Sequence, residues 1–276
     1  MFRQAGSRIA ALAWCVAFLL SAYGVGADIQ ERPLSCFVVH CEPTNANEIM
    51  FLELEGLVSL AESYEVPLTI DFTAQWAEMI LGDERKVKAV DAWIEHGHEI
   101  GAHHHAYWAL LDRAAQWDGY TNTPVSDLLP IYQTQYRGTM NDYMDLVNAL
   151  PGDRLTACMG LDGDQDRIDW PASLQYSTTG NLLEHCVSTP QPVSYPSGDA
   201  WHISHGLILQ DPGALVDLYD ATPATEVFCV VGHVYNYQEN PRPFEAWFRS
   251  LAVSDPDGLR RRIVSEAIEE WRSDDI

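Results

Sequence analysis

Positive charge is what this chain has least of. Its 276 residues include 16 Lys and Arg against 40 Asp and Glu, a formal net charge of −24, and Lys86 and Lys88 are the only lysines. So acidic a surface repels phosphate backbones and anionic headgroups, which argues against nucleic acid and membrane surfaces as partners. Long apolar runs are scarce as well. The most sustained one, 9–20, follows Arg3 and Arg8 and falls short of the roughly 20 residues a spanning helix needs. With Val25-Gly26-Ala27 behind it, it reads as an export signal cleaved before Asp28. The expectation is a signal peptide over 1–27 and a single domain over 28–276. The product would be secreted or periplasmic, with no integral membrane segment after cleavage. That length suits one domain of α/β-barrel size.

Cysteine is sparse and badly spaced for zinc. Beyond Cys15 in the leader there are Cys36, Cys41, Cys158, Cys186 and Cys229, none in a CxxC. A cysteine knuckle is therefore not expected, and the odd number leaves at least one thiol free. Cys158 with Cys186 is the one disulfide pairing considered. Burial as small apolar groups is the expected role of the cysteines in general. Internal repeats and long linkers are absent.

What is present is an alternation of strands and helices. Short apolar runs at 36–40, 66–72, 155–159 and 226–231 read as strands, and helical spacing marks 47–63, 84–95, 127–150 and 256–271. Such alternation favours a mostly parallel sheet or barrel.

The chemistry concentrates at 97–105, Gly-His-Glu-Ile-Gly-Ala-His-His-His. A short strand over 98–101 delivers His103, His104 and His105 to its C-terminal end, where α/β folds build their sites. Imidazole is the commonest protein ligand for zinc-like ions; a solvated His-rich turn is the alternative. The first strand ends Val38-Val39-His40-Cys41-Glu42-Pro43. Residues two apart on a strand point the same way, so His40 and Glu42 face one pocket.

Gly97-His98-Glu99-Ile100-Gly101-x-His103 resembles the second motif of the polysaccharide deacetylases of the NodB-homology type (carbohydrate esterase family 4). The resemblance implies a distorted (β/α) barrel and makes His103 a metal ligand. The family's second ligand His normally follows four residues later, where this chain has Tyr107: either His105 supplies that imidazole from a different offset, or the metal site is altered or lost. The family's first motif maps onto His40 and Glu42, implying Glu42 as metal ligand and His40 as base in place of an Asp. His40 is open also to being a fourth ligand or a buried, hydrogen-bonded histidine. Arg154 falls where the family has an Arg that orients the catalytic acid, although a surface charge after a helix is equally open. His233, ending Val230-Val231-Gly232-His233, falls where the family places a general acid for the leaving amine.

The implied cofactor is a divalent metal, zinc first, with cobalt or nickel as alternatives. The implied partner is an acylated carbohydrate, and the implied reaction is metal-assisted removal of an acyl group, N-acetyl first of all. Two other readings stay open: an amidase for non-sugar C–N bonds on the same scaffold, and a non-catalytic glycan-binding relative. Trp108, Trp117 and Tyr120 are candidate sugar platforms, with core packing as the ordinary alternative. Asp162-Gly163-Asp164-Gln165-Asp166 has the alternating carboxylates of a calcium loop. It fails that template, because Arg167 stands where the loop needs Gly and Ser173 where it needs an acid. His202 and His205 rank below His103 and His105 as ligands, and Asp71 is either a wall of the site or a buried acid.

Overall fold

The structure is a computed structural model that describes residues 32–106, 116–159, 171–208 and 212–274. Its frame is a ten-stranded sheet. The strands are β1 (Leu34–Cys41), β2 (Thr69–Phe72), β3 (Glu99–His104), β4 (Thr156–Met159), β5 (Tyr176–Thr179), β6 (Val187–Ser188), β7 (Gln191–Tyr195), β8 (Gly198–Ser204), β9 (Gly206–Leu207) and β10 (Val227–His233). Their order is β6-β10-β1-β2-β3-β4-β5-β8-β7, with β9 beside β10. All neighbours are parallel except β6 against β10 and β7 against β8. The sheet curls into a half-barrel, the distorted (β/α) barrel expected from the sequence. Its two flanks meet where the Ser204 backbone N–H donates to Ser188 Oγ at 3.2 Å.

β1 shows why these residues make this frame. It is buried along its whole length, as a central parallel strand covered on both faces must be. Alternate residues part to opposite faces. Phe37, Val39 and Cys41 pack toward the large outer core with Phe51, Leu54 and Phe248, while Leu34, Cys36 and Val38 enter an inner cluster with Val227, Cys229, Val231 and Ile268. The inner-face series continues as His40 and Glu42, so one strand runs from an apolar floor to a polar mouth at its C-terminal end.

The helices begin where capping chemistry allows. Asn47 accepts the Met50 N–H at 3.1 Å to open Glu48–Ser63, and Asp83 accepts the Arg85 N–H at 2.9 Å to open Glu84–Glu95. Gly97, at φ +93, reverses the chain between that second helix and β3. Two helices expected from periodicity are shorter than the pattern suggested. The run 127–150 is broken into Pro130–Gln133 and Met140–Asn148. Gly138 and the Thr139 capping box restart the second piece, with Asp142 Oδ2 accepting the Thr139 N–H at 2.7 Å.

The C-terminal helix starts at Val264 rather than near 256. Its expected first turns instead lie alongside β1, where Ser35 N donates to Arg260 O at 2.7 Å and Arg262 N to Ser35 O at 2.9 Å. No disulfide joins Cys158 to Cys186: Cys36, Cys41, Cys158, Cys186 and Cys229 are all free and buried. No helix among the described residues is long and apolar enough to cross a membrane. Residues 1–27, Tyr107, Trp108 and the acidic run 162–166 lie outside the described residues.

Candidate metal centre

Four side chains converge at the C-terminal mouth of β1, β3 and β10. Glu42 follows β1, and its backbone carbonyl accepts the Trp76 indole N–H at 2.9 Å. His103 ends the inner-face series of β3, and His105 lies two residues further on. His233 ends β10, level with His40. The His105 Nε2 lies 2.7 Å from Glu42 Oε2; the Nε2 atoms of His233 and His103 lie 3.3 and 3.5 Å from Oε1. His103 and His105 bring their Nε2 atoms within 2.9 Å of each other.

The remaining ring nitrogens fix these orientations. His103 Nδ1 sits 3.0 Å from the Cys158 carbonyl, to which it can only donate, so its neutral ring turns a lone pair at Glu42. His233 Nδ1 is likewise 3.0 Å from Asn236 Oδ1. Three imidazoles thus share one carboxylate, and each of these contacts is satisfied by a proton or by a metal ion between nitrogen and oxygen. Burial pushes the Glu42 carboxyl up, but hydrogen bonds from His103, His105 and His233 outweigh it and hold the group far below the usual carboxylate range. Burial lowers His103 as well, against the pull of Glu42. Zinc bonds of about 2.0–2.1 Å in a tetrahedron place donors about 3.3 Å apart, close to the separations seen here. The donor set fits a zinc-like ion, and the anchoring of Nδ1 by a carbonyl is the usual outer support of a ligand histidine.

His104, between the two candidate ligands, points the other way. Its Nδ1 lies 2.7 Å from Asp118 Oδ2, which also accepts the His105 N–H at 3.1 Å; Asp118 Oδ1 accepts the Tyr120 N–H at 3.1 Å. This carboxylate fixes the backbone that carries His105.

His40 joins the cluster from behind. Its ring stacks on His103 at 4.1 Å, and its Nε2 is buried beside Asp71 Oδ2 at 3.9 Å rather than open to the mouth. Burial and the neighbouring imidazoles His103, His205 and His233 drive its pKa well down. Arg154 is not brought to the site. It is 4% exposed, and its guanidinium donates to the carbonyls of Val147, Ile100, Leu150, Pro151 and Asp153, tying the helix Met140–Asn148 to the start of β3. Burial lowers it to about 10. Trp117 and Tyr120 are packed inside the protein, Trp117 against Leu128 and Tyr132, so neither offers an open face.

His205, ranked below His103 and His105 as a ligand, reaches the cluster from behind. It lies just beyond β8, 1% exposed, with its ring 5.1 Å from His40.

No protein-family model matches the chain, and no curated protein matches it. Among solved structures it is similar to a protein from Mycobacterium smegmatis assigned as a polysaccharide deacetylase: 10% identity, 91% of this chain, 94% of the other, TM-score 0.52. It is also similar to a 4-alpha-glucanotransferase from Thermococcus litoralis, at 10% identity and TM-score 0.51 over 87% of this chain and 40% of that one. At such identity the likeness establishes a deacetylase-like fold, a distant relationship of architecture.

Proposed function

We propose that this chain is a metal-dependent hydrolase that removes acyl groups, N-acetyl first of all, from a carbohydrate. In this reading residues 28–276 act as a single exported domain after loss of 1–27. The observation that carries it is the convergence of three imidazole Nε2 atoms on the Glu42 carboxylate at the strand C-termini of a deacetylase-like barrel.

Glu42, His103 and His105 would hold the ion, zinc first, with cobalt or nickel as alternatives. A divalent ion there supplies the positive charge that acidifies a water and draws electron density from a scissile carbonyl. Proton movement falls to His233. Its side chain is 16% exposed against 6% for His40, and Asn236 on Nδ1 leaves Nε2 as the basic atom facing the mouth. His233 takes the proton from water as its oxygen bonds the acyl carbon, then passes it to the nitrogen as the C–N bond breaks. His40, with its Nε2 turned inward, backs His103 by stacking. Tyr235 is exposed, and its ring lies 4.9 Å from that of His233, an aromatic face on which a sugar ring can rest beside the reacting bond.

The test is acetate release from N-acetylglucosamine oligomers by the zinc-loaded chain. The expected result is turnover that chelation abolishes. His233→Asn should lower kcat by about 10²–10⁴ with its zinc content intact. A fully loaded, folded chain that releases no acetate overturns the reading. Turnover of simple non-sugar amides alone would move the reaction to the amidase class.

A further inference from the structure

Behind the mouth lies a second group of metal-binding side chains that the proposed hydrolysis does not use. His40 on β1, Cys158 on β4 and His205 after β8 bring their donor atoms within 4.8 Å of one another. All three are buried, at 5, 7 and 1% exposure. Asp71 on β2 is wholly buried and sets its carboxylate 3.9 Å from His40 Nε2. The polar atoms of this nest lack partners among the described residues: His40 Nε2, both Asp71 carboxylate oxygens and both His205 ring nitrogens make no hydrogen bond. Buried polar groups are nearly always satisfied, so a cluster of orphans in one place asks for a missing occupant.

The chain also makes room for this arrangement. A Cβ on Gly101 would stand 2.0 Å from Asp71 Oδ1, so glycine at that position is what lets the carboxylate lie beside His40. Cys158, His205 and Asp71 stand apart from Glu42, His103 and His105, whereas His40 borders both groups, with a donor atom also within 4.8 Å of those of Glu42 and His103.

We propose that His40, Cys158 and His205, with the Asp71 carboxylate beside His40, form a second site for a zinc-like transition-metal ion. The donor chemistry selects the ion. Two imidazoles and a thiolate suit zinc, cobalt or copper, whereas magnesium and calcium take oxygen ligands. Bonds of about 2.0–2.1 Å to nitrogen and 2.3 Å to sulfur are compatible with the span of the three donors after small side-chain adjustments. Binding exchanges the Cys158 S–H proton for the metal and releases that proton to solvent. The character of the site follows from its burial. Donors buried from solvent on every side make a closed, structural centre, in contrast to the mouth site, where a position stays open to water. Such an ion ties β1, β2, β4 and the end of β8 together directly beneath the proposed reaction centre.

Cobalt(II) is the probe, because a cobalt–thiolate bond absorbs in the near ultraviolet and a cobalt–imidazole bond does not. Metal-free chain is titrated with cobalt and followed by absorbance and elemental analysis. The expected result is two equivalents bound, with the thiolate band present. Cys158→Ser should lose the band and one equivalent. His205→Gln should likewise lose one equivalent, and it serves if the serine variant does not fold. Glu42→Ala should keep the band while losing the other equivalent, so failure of the mouth site and failure of this one read differently. Saturation at one equivalent without a thiolate band, or a band that survives in folded Cys158→Ser, overturns the proposal.

Discussion

Gly101→Ala is the smallest change expected to damage both the barrel and its mouth. The new methyl would stand 2.0 Å from Asp71 Oδ1 and 2.9 Å from the Thr156 carbonyl. Gly101 pairs with Asp71 in β2, and one residue on, Ala102 pairs with Ala157 in β4. A side chain can swing away, but the Thr156 carbonyl moves only if β3 and β4 part. Overpacking costs typically about 1–3 kcal/mol, and a backbone clash puts this substitution toward the upper part, about 2–3 kcal/mol. For a chain of this size that lowers Tm by about 4–12 °C. The assay is thermal unfolding followed by circular dichroism. Two further variants sharpen it. Gly101→Ala with Asp71→Ala should recover part of the loss, since the 2.0 Å contact goes and the 2.9 Å contact stays; non-additivity in that direction is the mark of a shared clash. Gly56→Ala, inside the helix Glu48–Ser63, meets Tyr237 Oη at an ordinary 3.5 Å and should gain up to about 1 kcal/mol from helix propensity. A Gly101→Ala chain as stable as the parent would refute the steric reasoning.

Other outcomes follow from single residues. Asp118→Ala frees His104 and the His105 backbone, and zinc affinity at the mouth should fall about 10–100-fold, as for other outer-shell partners; competition with a chelating dye measures it. Arg154→Met abandons five backbone carbonyls and should cost about 3 kcal/mol or more in urea unfolding, with metal content unchanged; loss of metal in a folded variant would place Arg154 in the site after all. Burial raises the Glu99 carboxyl above its usual range, against hydrogen bonds from Thr156, Ser265 and Thr69. A raised value in the folded chain favours folding below the unfolded value of about 4.3, and that contribution is lost as pH rises toward the folded value. Glu99→Gln should therefore gain stability relative to the parent as pH climbs from about 4.3 toward neutrality; parallel stability–pH curves would contradict this.

Much of the frame was legible because it rests on local patterns. β1 is apolar on both faces because it is central, and its continuation as His40 and Glu42 announced the mouth. Asn47 and Asp83 cap helices where a capping residue meets a periodic run. The pattern failed where breakers overrode periodicity, at Gly138 within 127–150 and where Arg260 and Arg262 turn from helix to strand-like pairing with Ser35. In the candidate site, Glu42, His103, His105 and His233 stood at strand ends and come together. Arg154 and His205 were harder, for opposite reasons. A buried arginine bound wholly to carbonyls looks in sequence like any charge after a helix. His205 depends on the β5–β8 pairing, a long-range contact with no local signature. The Asp71 orphan and the space left by Gly101 are facts of three-dimensional packing alone.

The claim on which the account rests is that Glu42 anchors an ion with His103 and His105. It is tested most directly by measuring zinc per chain after equilibrium dialysis, for the untagged parent beside Glu42→Ala and His103→Ala, each checked for folding. Each folded variant should carry one zinc fewer than the parent. Equal zinc in all three folded proteins, or none in a parent dialysed against excess zinc, would contradict it.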